Sequence, residues 1–354
     1  MTSALATFVP GEPGDFGPRE PGRTRVAFAA AHVVADPAGG VDWEATLHFR
    51  RHLWEHGLGV AEAMDTAQRG MGLDWPDARE LIRRTAAEGG GRLAAGAATD
   101  HAQPDTLDEV RAAYEQQCEF VEGTGAQVIV MASRALAALA TGPDDYRAVY
   151  GTVLGGLERP AILHWLGDMF DPALAGYWGS DDLDEATETL LAIVADHADK
   201  VDGVKVSLLD AAREVDIRSR LPEGVRLYTG DDFNYPELIA GGSDALLGVF
   251  DAIAPAAAAA LHALDRGDRA EYDRILEPTV PLARRLFEAP TFNYKTGIVF
   301  LAWLNGHQDS FSLLGGLETA RSAEHLADVL VLADRAGLLR DPELAVARAR
   351  QVLG

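Results

Sequence analysis

Lysine is almost missing from this chain: Lys200, Lys205 and Lys295 are the only three, and nearly every other cation is arginine. Cysteine is scarcer still. Cys118 is alone, so no disulfide can form within the chain, and the expectation is a reducing, cytoplasmic setting with Cys118 as a small buried hydrophobe. Positive charge is also short. Thirty-one Lys and Arg against 55 Asp and Glu give a formal charge of -24, which repels polyanions and argues against nucleic acid or an anionic membrane surface as partners. No apolar run is long enough to span a bilayer. The N-terminus has no basic head followed by an apolar core, so it does not resemble a secretory signal. No G-x-G-x-x-G follows the first apolar run, which weakens a doubly wound dinucleotide-binding sheet.

What is present is a recurring unit. Short apolar runs occur at 26–34, 58–64, 92–98, 126–131, 160–165, 203–208, 225–230 and 245–250, and amphipathic segments with helix-start signals separate them. Strands apolar on both faces and alternating with helices imply a parallel sheet covered on both sides. Eight such units close more naturally into a (β/α)8 TIM barrel than into an open sheet. The expected organisation is a flexible Pro- and Gly-rich lead-in over 1–24, a barrel over 25–265 and a helical C-terminal extension over 266–354 packed on it.

Within the run V-D-G-V-K-V-S-L-L-D, Lys205 stands between two valines. On a sixth barrel strand it can point inward, where desolvation favours the neutral amine that attacks a carbonyl and forms a Schiff base. The plainer alternative is codon bias with a few leftover surface lysines. A chain that avoids lysine elsewhere has reason to keep it where an amine is needed.

The pieces G-V-K-V, L-Y-T-G-D-D and I-A-G-G-S-D-A-L-L-G-V, with A-P-A-A-A-A-A-L after them, resemble the dihydrodipicolinate synthase and N-acetylneuraminate lyase family. Earlier stretches agree: H-V-V-A-D-P-A-G-G-V-D-W-E-A-T-L-H-F-R is similar to the family's opening strand, loop and helix, and E-F-V-E-G-T-G-A-Q-V-I-V-M to the approach to its fourth strand. The resemblance covers most of the chain. It implies a class I aldolase or lyase in a (β/α)8 barrel with a helical C-terminal region, commonly assembled as a homo-oligomer, and it places the imine-forming lysine on Lys205. No cofactor or metal is implied.

The sequence also departs from that pattern. Where the family closes its fifth strand with an acid/base tyrosine, A-I-L-H-W-L-G puts His164, which could shuttle protons or merely bond within the wall. Where the family has a G-T-T-G loop for a keto-acid carboxylate, A-M-D-T-A-Q-R-G matches only Thr66 and brings Asp65, which repels a carboxylate unless Arg69 intervenes. The electrostatics therefore favour an uncharged, sugar-derived carbonyl over pyruvate. Tyr228 is a second candidate for moving protons. His101, Arg134 and Asp231, with Asp100 and Asp232, fall after strands and are candidate substrate contacts, with loop bonding or helix capping as the plainer role. Gly242 could let a backbone amide approach an anion, or simply make a turn.

His48, His52 and His56 share one face of the first helix, where a solvated face or subunit contact outweighs a metal. Segments F-N-Y-K-T-G and N-G-H-Q-D-S-F, carrying Lys295 and His307, belong to the extension and could fold toward the mouth. The expected function is a Schiff-base aldolase, lyase or dehydratase acting on a small carbonyl compound. The alternatives are a metal-dependent isomerase or lyase drawing ligands from Glu62, Asp65, His101, His164 and Asp231, and a barrel that binds a ligand without chemistry.

Overall fold

A computed structural model describes residues 8–64 and 68–354 of the chain. Among these residues eight parallel strands close in sequential order: β1 (Ala27–Ala30), β2 (Gly59–Glu62), β3 (Leu93–Ala97), β4 (Gln127–Val130), β5 (Ala161–Leu166), β6 (Val201–Ser207), β7 (Arg226–Thr229) and β8 (Asp244–Leu247), with β8 paired to β1. The helices that return the chain between strands are α1 (Trp43–Glu55), α2 (Trp75–Glu88), α3 (Leu107–Gly123), the pair α4 (Arg134–Leu139) and α5 (Pro143–Gly156), α6 (Leu183–Asp196), α7 (Ala211–Arg220) and α8 (Tyr235–Ala240). After β8 come α9 (Val249–Asp265), α10 (Arg269–Leu276), α11 (Val280–Leu286), α12 (Tyr294–Leu304), α13 (Ala323–Arg335) and α14 (Pro342–Leu353). The protein is a (β/α)8 barrel with C-terminal helices.

Local chemistry sets the boundaries. Asp42, Asp74, Thr106, Ser133, Asp182 and Asp210 each accept a backbone N–H at the start of α1, α2, α3, α4, α6 and α7, satisfying donors that a helix leaves open. Within α9, Pro255 cannot donate to the helical ladder, and the backbone is non-helical at Ile253, two residues earlier.

Alternation along the strands separates two apolar layers. Phe28, Ala30, Ala61, Ala94, Ile129, Ile162, Tyr228 and Leu246 pack together in the barrel interior, while Ala29, Val60, Ala95, Val128, Leu163, Val204, Leu227 and Leu247 pack against the surrounding helices. The period of two thus places His164 and Leu166 of β5, and Lys205 and Ser207 of β6, on the inner face.

Residues of α12 are buried along its whole length. This helix packs among α9, α13 and α14 and brings its N-terminal residues against the barrel, where Lys295 Nζ donates to the Ala30 carbonyl at the end of β1 over 2.7 Å. The described part of the Pro- and Gly-rich stretch before β1, from residue 8 on, has neither helix nor strand but is tied down. Gly11 N–H bonds Asp334 at 2.9 Å, Gly14 N–H bonds the Gly337 carbonyl at 2.8 Å, and the N–H groups of Arg23 and Thr24 both bond Asp265 at 2.8 Å. Among the described residues no helix is long and apolar enough to cross a membrane.

Candidate active site at the barrel mouth

The C-terminal ends of β5 and β6 define the site. His164 and Lys205 are register partners, and both side chains project inward. They line a cavity of about 20 Å³ with Met64, Leu166, Phe170, Ser207, Asp232, Gly248 and Tyr294. That volume is room for about one water molecule. Lys205 is 6% exposed and His164 is 2% exposed, so the amine lies inside the barrel rather than in bulk solvent. Lys205 Nζ lies 3.8 Å from the Met64 thioether.

Gly230 makes the close packing around the lysine possible. A Cβ at this position would fall 2.1 Å from Ser207 Oγ and 2.9 Å from Lys205 Cε, so only glycine lets β7 approach β6 there. Burial, and then the charge of Lys205, push the His164 imidazole well below its ordinary pKa and keep it neutral. Its Nε2 lies 3.2 Å from Ser207 Oγ, while its Nδ1 is buried with no hydrogen-bond partner among the described residues. A neutral imidazole beside a hydroxyl can accept a proton from a bound molecule and return it.

The C-terminal region contributes Tyr294, stacked on Phe287 at 4.2 Å between ring centres and edge-on to Phe170 at 6.3 Å. Asp232 contributes a carboxylate whose Oδ1 accepts the Val249 N–H at 2.7 Å, which fixes its orientation at the start of α9. Ala63 and Leu209, just past the ends of β2 and β6, adopt φ of +48° and +55°, a region L-residues rarely occupy, so the backbone is strained at this end of the barrel.

The other residues anticipated for the site meet different fates. Asp65 and Thr66 lie outside the described residues. Tyr228 faces the barrel interior, but its hydroxyl donates to Asp202 at 2.7 Å, at the start of β6, and its ring packs on Phe28. Burial and Asp202 raise its pKa, and its polar end points to the opposite end of the barrel from the mouth. Its hydroxyl is thereby held at the far end of the barrel from His164.

Arg69 is fully engaged. It grips both oxygens of Asp100 at 2.8 and 2.9 Å, donates to the carbonyls of Ala63 and Gly96 at 3.0 and 2.7 Å, and also bonds Gln117. A guanidinium so occupied staples β2 to β3 and has little left for a substrate carboxylate. His101 bonds Gln117 and Gln116 and lies against Trp75, turned to the outside. Arg134 pairs with Asp171 at 2.7 Å and borders a separate recess of about 390 Å³ above β3 and β4, which Arg69 and Asp100 also line.

Asp231 caps the turn into α8, accepting the N–H groups of Phe233 and Asn234 at 2.8 and 2.9 Å. Its neighbour Asp232 is the one that faces the cavity. Gly242, at φ +122°, makes the turn before β8 beside Arg218 and so lies at the stability end of the barrel. Glu62, a candidate metal ligand, points outward into a buried pair with Arg50 at 2.7 and 2.9 Å and accepts from Thr85. Among the described residues, no three of His, Cys, Asp and Glu come together in a way that could hold a metal ion.

Sequence reasoning missed Phe170 and Gly248 altogether. Ser207 was within reach, since it sits two residues after Lys205 on one strand. Tyr294 arrives from 89 residues downstream of Lys205, in the F-N-Y-K-T-G segment expected to be able to fold toward the mouth, though only Lys295 was named from it.

The fold and this mouth define a (β/α)8 barrel protein with a buried lysine on its sixth strand. The chain belongs to the family described as "Protein of unknown function (DUF993)", whose pattern matches residues 6–354. Comparison with curated proteins finds no match. Solved structures share the fold. A putative dihydrodipicolinate synthetase from Pseudomonas aeruginosa superposes with a TM-score of 0.69 at 18% identity, covering 89% of this chain and 100% of that one. Dihydrodipicolinate synthase from Aquifex aeolicus gives 0.68 at 17% identity, with 89% and 99% covered. The Bacillus anthracis synthase gives 0.66 at 14% identity, with 88% and 97% covered.

Proposed function

We propose that the protein is a lyase or aldolase that binds a small carbonyl compound as a Schiff base on Lys205. The observation that carries this reading is the amine itself, buried at the inner end of β6 beside a neutral imidazole and a cavity. A cationic side chain is costly to bury, and a barrel has no structural need for one in its lumen. Likeness to dihydrodipicolinate synthases adds support at the level of the fold.

In the proposed reaction the Lys205 nitrogen lone pair adds to the carbonyl carbon, and the oxygen departs as water after taking two protons. The resulting iminium draws electrons from the adjacent bond. In cleavage the carbon–carbon pair passes into an enamine as the β-carbon leaves as a carbonyl; in dehydration loss of the α-proton gives the enamine, whose pair then expels the β-hydroxyl as water and leaves a conjugated iminium. His164 accepts the proton released by the substrate hydroxyl, with Ser207 as its hydrogen-bonding neighbour. Tyr294 protonates the enamine carbon, or in dehydration the departing hydroxyl, and regains its proton from His164 or solvent water. Water hydrolyses the imine and regenerates the amine, with no oxidant or reductant required.

The substrate we infer is uncharged and carries hydroxyls, and its entry requires the side chains around the water-sized cavity to move apart. Arg69 is committed to Asp100 and two carbonyls, so the guanidinium that would hold a keto-acid carboxylate is occupied. Ser207 and Asp232 offer hydroxyl and carboxylate contacts instead. The expected assembly, a dimer or tetramer, is part of the same proposal and is checked by sedimentation velocity.

The test incubates the protein with aldehydes, ketoses and keto acids in the presence of borohydride, followed by intact-mass and peptide mapping. A reduced adduct on Lys205 with a hydroxylated aldehyde or ketone is expected. Absence of an adduct across the panel, or an adduct equally abundant in Lys205→Arg, overturns the proposal.

A further inference from the structure

A second cavity, of about 310 Å³, lies on the outer flank of the barrel, away from the mouth. It is walled by α1, α9, α12 and the connection between α13 and α14, and the tail before β1 closes one side with Phe16 and Pro18. Small-molecule sites are commonly clefts of about 300–1,000 Å³, and this cavity lies at the lower end of that range.

Its polar lining is unusual. His52 and His56 from α1 and His307 from the end of α12 converge, with ring centres of His52 and His56 at 4.5 Å and of His52 and His307 at 4.4 Å. His56 Nδ1 meets the His52 carbonyl at 2.9 Å. Among the described residues the side chains of His52 and His307 make no hydrogen bond, and His307 Nδ1 is buried without a partner. His307 Nδ1 is thus a buried polar atom of the kind rarely left unpaired, and it belongs to a residue that lines this cavity.

Ring against ring, tilted by 59° and 46°, is an apolar packing arrangement and does not aim three lone pairs at one point. Burial, followed by the neighbouring His56 and Arg340, lowers His52 to about 3, and burial lowers His307 as well. Each imidazole is therefore neutral near pH 7 and carries one N–H donor. Arg340 borders the same cavity, and among the described residues its guanidinium has no carboxylate partner, in a chain with 55 acidic residues. Two carboxylates also border it. Asp251 is buried and already held by His32 at 3.0 Å and Lys295 at 3.6 Å, while Glu55 is exposed on the rim. Phe49 and Leu301 supply apolar surface.

We propose that this cavity binds a small organic monocarboxylate, its anionic end held by Arg340 and the imidazole N–H groups of His52 and His307, its body against Phe49 and Leu301. One guanidinium balances one negative charge. A dianion would face Asp251, Glu55 and the protein's own charge of -24 without a second cation.

Titration calorimetry on the full chain with phenylacetate and hexanoate tests this, with phenylacetamide as the neutral analogue and inorganic phosphate as the competing oxyanion. Saturable binding of a carboxylate is expected, with the amide at least tenfold weaker. Arg340→Gln, at an exposed side chain without hydrogen bonds, should weaken binding at least tenfold, and His52→Phe several-fold. Lys205→Met should leave it unchanged, which separates this site from the mouth. No saturable binding of either carboxylate, equal affinity for the amide, tighter binding of phosphate, or loss in Lys205→Met but not in Arg340→Gln overturns the proposal.

Discussion

His164 and Lys205 sit side by side, paired across β5 and β6, and present an imidazole and an amine to one small cavity. The imidazole is kept neutral by burial and by the lysine's charge. Its charging therefore falls well below the ordinary imidazole value, and the pH profile of turnover should show no limb near 6.5 that belongs to His164. If this group moves protons, His164→Asn should lower kcat by about 10²–10⁴-fold, while borohydride still traps an adduct on Lys205. Loss of trapping together with turnover would make His164 a requirement for forming the imine instead.

Tyr294 carries the second assignment at this site. Tyr294→Phe keeps the ring stacked on Phe287 and removes only the hydroxyl, so the fold should stand. The expected result is a fall in kcat of roughly 10²-fold or more with a smaller change in KM, the pattern of an interaction made mainly in the transition state. A change confined to KM would reduce Tyr294 to a substrate contact.

Gly230→Ala tests the packing that holds the lysine in place. The new methyl would collide with Ser207 Oγ and Lys205 Cε, which are side-chain atoms that can move aside, and with the Val206 carbonyl oxygen at 2.7 Å, which is backbone and yields only if β7 shifts from β6. Adduct formation should drop at least tenfold, because a misplacement of about 1 Å costs on the order of 10²-fold in rate. Circular dichroism should still report the barrel, while urea unfolding should show a loss of stability from the shift that the Val206 carbonyl forces on the strands. Unaltered adduct formation would show that Lys205 needs no such alignment.

Much of this was legible before any coordinates. Eight two-sided apolar runs gave the barrel, and the alternation V-K-V placed Lys205 inward because a strand has a period of two. Of the two readings of Gly242, the turn before β8 agrees with its place at the end remote from the mouth. Other readings had no local check. Whether Arg69 was free for a substrate depended on Asp100, Gln117 and two carbonyls from other strands. Glu62 faced outward to meet Arg50 from α1, and the direction of Tyr228 was decided by Asp202. Strand pattern reports which face a side chain takes; its polar partner comes from elsewhere in the chain.

The Arg50–Glu62 pair beneath β2 bears on stability. Both side chains are fully buried, and Arg50 also donates to the His32 carbonyl, linking α1, β1 and β2. Replacing the guanidinium with an apolar side chain in Arg50→Met would strand a buried carboxylate at a cost of about 3–5 kcal/mol. Urea unfolding should report that loss. The double variant Arg50→Met, Glu62→Leu should recover a good part of it, since it removes the unpaired charge.

Glu214 gives a pH dependence with a definite sign. Its carboxylate is 1% exposed, accepts from Thr229 at 2.8 Å and Ser243 at 2.9 Å, and is pushed up to about 7 by burial, which outweighs those bonds. The unfolded chain ionises this group near 4.5. Between those values the native state holds a proton that the unfolded state has lost, so stability falls as pH rises from about 4.5 to 7 and levels off above. The difference corresponds to about 3 kcal/mol. Glu214→Gln cannot ionise and keeps a comparable shape, so its stability relative to the parent should improve steadily across that window and stay constant outside it. Chemical denaturation at pH 4.5, 6 and 8 measures this directly, and a difference that does not vary with pH would show that Glu214 titrates alike in both states.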